Sequence, residues 1–167
     1  MEANIIDYDG SLDTDNINLE KLEVLIASFH LPCLRPSTKK ENTAALINSM
    51  KNRFVNIIGH PDDGRIELDY AELARAAADT GVLLEINNSS LRPTSFRLNA
   101  YENDERLLAE CIKYNLYIII NSDSHIYTDI GECDEALDLV RNFGYPKDLI
   151  ANVSVERLKE RLFLRRK

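Results

Sequence analysis

The chain has 167 residues, 44% hydrophobic and 29% charged, which is enough for one domain with a real core and unlike a disordered or low-complexity segment. Its net charge of −8 argues against a general nucleic-acid surface. No apolar stretch reaches the roughly 18 residues of a membrane span.

In chain order, Met-Glu-Ala-Asn opens without the basic and apolar regions of a signal peptide. Ala3-Asn4-Ile5-Ile6 is a candidate first strand. Asp7, Asp9, Asp13 and Asp15 follow, and they read as a solvated turn without the ligand pattern of a calcium loop. Val24 to Phe29 is a strand ending at His30. Thr38 to Asn52 is a helix with Thr38-x-x-Glu41 as its capping box. Val55 to Gly59 is a strand ending at His60, with the acidic turn residues Asp62 and Asp63 just beyond. Asp69 to Thr80 is a helix closed by Gly81. Val82 to Ile86 is a strand, and Ala100 to Asn115 a helix with Leu107, Leu108, Cys111 and Ile112 on its core side. Tyr117 to Ile120 is a strand that runs into Asn121-Ser122-Asp123-Ser124-His125, and Cys133 to Phe143 is a helix. Leu149 to Val153 reads as a last short strand, with Ser154 as the cap of an amphipathic helix carrying Leu158, Leu162 and Leu164 toward Lys167. Cys33, Cys111 and Cys133 make an odd count without close pairing, so no disulfide framework is implied and a cytoplasmic setting fits.

Apolar strands alternating with helices predict an α/β protein of parallel strands and crossover helices, in a single domain over residues 1–167. The five or so strands fall short of a closed eight-stranded barrel, which takes about 250 residues. An open doubly wound sheet is the alternative, although Gly59-His60-Pro61-Asp62-Asp63-Gly64 is neither a Walker loop nor a dinucleotide fingerprint.

All three histidines follow apolar runs. His30, His60, Asn87 and Asp123 recur at roughly one βα unit, which puts them on one rim of a parallel sheet. Imidazoles gathered there suit zinc, iron or manganese, and a carboxylate can bridge two such ions. Asp123-x-His125 adds two donors that can serve separate ions; the alternative is a backbone-bonded Asp123 beside an exposed His125. Glu85 to Ser90 either shapes a pocket or caps a turn. Arg92 and Arg97 are candidate cations for a phosphate, or ordinary surface residues.

Glu2-Ala3-Asn4-Ile5, Ala27-Ser28-Phe29-His30, Ile58-Gly59-His60-Pro61-Asp62, Leu84 to Ser90 and Asn121 to His125 together resemble, in order, the polymerase-and-histidinol-phosphatase (PHP) family, and within it the stand-alone bacterial phosphatases. The resemblance covers the whole chain, including Asn152-Val153-Ser154. It implies a distorted (β/α)7 barrel and up to three divalent ions, zinc or manganese, that activate water against small-molecule phosphate esters. By the same resemblance Glu2 is the bridging carboxylate, His30 and His60 complete one ion, Asp123 binds its neighbour, and His125 binds the third. Either a metal-bound water or Asp123 is the candidate to protonate the leaving group.

The family's opening His-x-His segment has no counterpart here. The resemblance therefore implies a partial barrel missing its opening strands, with open sheet edges and about one ion per chain. A truncated gene product, a split-gene half and a mis-called start are the expectations. A non-catalytic metal-binding fragment, a half completed by a second chain or a homo-oligomer, and an amidohydrolase-type barrel are the rival readings.

Overall fold

A computed structural model describes residues 1–14 and 19–163. Asp15 and the tail with Leu164 and Lys167 lie outside the described residues. Five parallel strands, β1 (Glu2–Asn4), β2 (Ile26–Ser28), β3 (Ile57–Gly59), β4 (Leu83–Asn87) and β5 (Ile118–Asn121), lie side by side in sequence order. Between and after them come the helices α1 (Lys39–Ser49), α2 (Tyr70–Thr80), α3 (Asn88–Leu91), α4 (Ala100–Lys113), α5 (Asp134–Phe143) and α6 (Val155–Phe163). A doubly wound sheet reverses its strand order part-way across. This one never does, so the doubly wound alternative falls.

Local chemistry sets the helix ends. Thr38 and Glu41 form the expected capping box at α1. The Asp69 carboxylate accepts from the amides of Ala71 and Glu72 at α2, whose exit is Gly81 at φ +73°. The Ser154 hydroxyl accepts from Arg157 N at the start of α6.

Register fixes the two sheet faces. Ala3, Ala27, Ile58, Leu84, Ile118 and Ile120 lie on the face covered by helices, where α1 packs on α2, α2 on α4, and α4 on α5. Glu2, Ile26, Ile57, Leu83 and Ile119 line the opposite face, which α6 covers with Leu158 and Leu162. Asn56 ties that helix down, because its amide donates to Leu162 O at 3.2 Å.

Several expectations need correction. Ile112 lies at the border of the α4 stripe and is 39% exposed, whereas Leu107, Leu108 and Cys111 are fully buried. The segment expected as a strand over Leu149–Val153 forms 3-10 turns, Lys147–Leu149 and Ala151–Val153, with a single bridge from Ile150 to Ile118. In place of a strand, the Asn152 side chain accepts from Ile120 N at 3.2 Å and donates to Ile120 O at 2.6 Å. The far side of the sheet is also partly taken. Asn4 O accepts from Asp13 N at 3.0 Å, and Ile6 N donates to Ser11 O at 2.9 Å. The sheet edges are thus less open than expected.

Candidate metal centre and active site

Glu2 lies inside the sheet face rather than at the strand exit. Register places it beside Ile26, two residues before Asn4 and Ser28. Gly59 makes room for it: a Cβ there would lie 2.3 Å from Ser28 Oγ, and it is this hydroxyl that donates to Glu2 Oε1 at 2.6 Å. Immediately after Gly59, His60 turns through left-handed backbone, φ +31°, and its amide donates to the buried Glu85 carboxylate at 2.7 Å. The turn aims the ring at Glu2, with His60 Nε2 at 3.2 Å from Glu2 Oε1 and 3.0 Å from His30 Nε2. His30 Nε2 is itself 3.6 Å from Glu2 Oε1.

Asn4 fixes the tautomer of His30. The Asn4 amide nitrogen donates to Asp13 Oδ2, so Asn4 Oδ1 faces the ring and accepts from His30 Nδ1 at 2.7 Å. Asp13 also accepts from Asn4 N at 2.8 Å. With its proton on Nδ1, the neutral His30 ring presents a bare Nε2 toward Glu2 and His60.

Burial and hydrogen bonding act against each other in this trio. The His60 hydrogen bond, against the cost of burial and with help from Ser28, holds the Glu2 carboxyl down to about 2. Burial is the largest single effect on His60 and disfavours its charged form, but the bond to Glu2 together with the Glu85 and Asp62 charges raises the pKa above the ordinary value. Burial and the neighbouring His60 charge lower His30. The Glu2 carboxylate and the two imidazoles enclose a space between their three donor atoms.

That space fits a divalent ion. The three donor atoms all lie within 4.8 Å of one another. Two ligands about 2.1 Å from a tetrahedral ion are about 3.4 Å apart, and the observed separations of 3.0, 3.2 and 3.6 Å bracket that spacing. Two imidazole nitrogens with one carboxylate oxygen are the donor chemistry of zinc, iron and manganese sites. Among the described residues this is the one such group of His, Cys, Asp and Glu.

The remaining expected residues fall as follows. Asp123 lines the same cavity as Glu2 and His60, of about 360 Å³, and leaves β5 through left-handed backbone at φ +50°. Its carboxylate accepts from Arg97 Nη1 at 3.1 Å. The His125 side chain is 86% exposed, with Nδ1 at 3.0 Å from Asp123 O. Of the two arginines, Arg97 belongs to the site: its side chain is 7% exposed and also donates to Ser90 Oγ at 3.0 Å. Arg92 pairs instead with Asp129 at 2.6 Å.

Three acidic residues play parts that the sequence reading missed. Asp13 is not merely solvated, since it holds Asn4. Asp62 and Asp63 are buried at 0% and 5% exposure, because the turn after β3 folds inward, where the Asn103 amide donates to Asp62 O at 2.8 Å. Asp63 pairs with Arg65, whereas neither Asp62 carboxylate oxygen has a hydrogen-bond partner. Burial pushes the Asp62 carboxyl up to about 6, an effect partly offset by the charges of Arg97 and His60. Glu85, for which the sequence left a pocket or a turn cap open, lines the cavity. It accepts from His60 N, Asn87 Nδ2 and Asn121 Nδ2 and so ties β3, β4 and β5 together beneath the site. A lone glutamate inside an apolar strand was the signal that pointed to it.

The chain resembles curated bacterial proteins over nearly all its length. It is 38% identical to a "Probable phosphatase" of Acetivibrio thermocellus, over 100% of this chain and 67% of that one. The chain belongs to this family of probable phosphatases. A second relative with that name, from Caldicellulosiruptor saccharolyticus, is 40% identical over 98% of this chain and 66% of its own. A third, from Clostridium novyi, is 37% identical over 94% of this chain and 64% of its own. The chain therefore spans about two thirds of the length of the probable phosphatases it matches, and no family model matches it.

Proposed function

We propose that this member of the probable-phosphatase family is a metal-dependent phosphoesterase of PHP type, acting on small-molecule phosphate esters. The observation that carries the reading is the convergence of Glu2, His30 and His60 within 4.8 Å. A zinc or manganese ion held there would supply Lewis acidity, lowering the pKa of water and offsetting phosphate charge. In the hydrolysis, water oxygen bonds to phosphorus, the ester P–O bond breaks, and the leaving alcohol takes a proton.

The chain's own groups divide the remaining work. Asn4 and Asp13 hold the His30 ring, and Glu85 holds the His60 backbone. Arg97, oriented by Asp123 and Ser90, is placed to draw a phosphate oxygen into the site. Asp123 is proposed to bind a neighbouring ion and to pass a proton to the leaving group. His125 is proposed to bind a third ion, which requires the turn after β5 to bring its exposed ring inward.

A second reading rests on the single ligand group among the described residues. By that reading the chain alone holds one ion without turnover, and a second chain or a second copy supplies further ligands. Metal analysis of protein purified without chelator, together with turnover of an aryl phosphate in added manganese, separates the two. The proposal expects retained metal and chelator-sensitive turnover, both lost in His60→Ala. Turnover that survives metal removal would overturn it. About one ion per chain without turnover would select the second reading.

A further inference from the structure

Two cavities meet at His60, and their linings differ in charge. The inner one, about 360 Å³, gathers the carboxylates of Glu2, Glu85 and Asp123. The outer one, about 390 Å³, sets Arg65 and Arg97 against the single carboxylate of Asp63. The second lining is the less negative of the two and so repels a phosphate dianion less. The outer cavity falls within the roughly 300–1,000 Å³ of small-molecule sites.

That outer cavity has two poles. Asn4, His30, His60 and Arg97 form a polar end. Leu31, Pro32, Cys33 and Phe96 supply an apolar wall. Phe96 is 70% exposed. Its ring is held by cations on fixed side chains: Arg65 Cζ lies 5.1 Å and Arg97 Cζ 5.5 Å from its centroid. Each of these guanidinium groups is itself pinned by a carboxylate, Asp63 for Arg65 and Asp123 for Arg97. The arrangement anchors the ring beside the ligand-bearing end while most of its surface stays uncovered.

We infer that the outer cavity receives the leaving group of the ester and that Phe96 is the platform on which it stacks, so that preferred substrates are phosphate monoesters of flat aromatic or heteroaromatic alcohols. This rests on the phosphatase reading above and adds the substrate class to it. The phosphate points to His30, His60 and Arg97, and the ring of the leaving group lies along Phe96, Leu31 and Pro32.

The test compares two non-hydrolysable probes of similar size, phenylphosphonate, which is flat, and cyclohexylphosphonate, which is not. Binding to the manganese-loaded chain is measured by calorimetry, without any need for turnover. The flat probe is expected to bind about fivefold more tightly. In Phe96→Leu that preference falls to within about twofold while cyclohexylphosphonate binding is unchanged, and an unaltered melting temperature shows that the variant is folded. Equal binding of the two probes to the wild type, or a preference that survives Phe96→Leu, overturns the stacking platform while leaving the phosphatase reading intact. Failure of both probes to bind, together with no turnover of any phosphate ester, overturns both.

Discussion

Asn4 illustrates how a neutral amide can prepare a ligand. By accepting from His30 Nδ1, it leaves the other ring nitrogen bare and directed at Glu2. Loss of such an outer partner typically costs 10- to 100-fold in metal affinity. Asn4→Ala is therefore expected to weaken manganese binding by about tenfold or more, read by titration against a competing chelator, with the fold retained. Asp104 makes a different residue-scale prediction. It is fully buried on α4, its carboxylate has no hydrogen-bond partner, and burial followed by the nearby Asp62 charge pushes its pKa well above the ordinary carboxylate range. The folded chain keeps this proton at pH values where the unfolded chain has shed it. Stability therefore falls as pH rises above about 4, by up to about 1.4 kcal/mol per pH unit for such a group. Asp104→Asn removes the titration, so its urea midpoint is expected to rise relative to wild type at pH 8 and to match it more closely at pH 4.5.

At the scale of elements, the ends of α1 and α2 were legible because their signals are local. Thr38 with Glu41, and Asp69 with Gly81, act within a few residues of themselves. His30 and His60 were legible for a related reason, as polar residues closing apolar runs. Leu149 to Val153 misled because a short apolar run suits a strand, while the ladder beside β5 is completed by an amide side chain instead. Asn152→Ala deletes two hydrogen bonds to Ile120. It is expected to cost about 1–3 kcal/mol and to speed hydrogen exchange at the Ile120 amide, while the amides of β2 stay protected.

Across the whole molecule, the alternation of strands and helices announced parallel strands, but the strand order came only with the structure. The part of the site that stayed hidden depends on long-range placement. Glu2 came only through the family resemblance, because it meets Ser28 and His60 through sheet register and the missing Cβ of Gly59, and the Asp62 turn looked solvated because burial is a tertiary property. The trio joins residues on or following three different strands, so an ion bound there stabilises the fold as a unit. At 100 times its dissociation constant such an ion adds about 2.7 kcal/mol. The melting temperature should rise with added manganese, fall with chelator and lose both responses in His60→Ala. The Asn152 side chain has a further consequence for the behaviour of the chain in concentrated solution. By occupying the outer hydrogen-bonding positions of Ile120, it denies an incoming strand from another molecule its template. With the Ile150 bridge to Ile118 beside it, this amide would act as a gatekeeper against polymerisation along that edge.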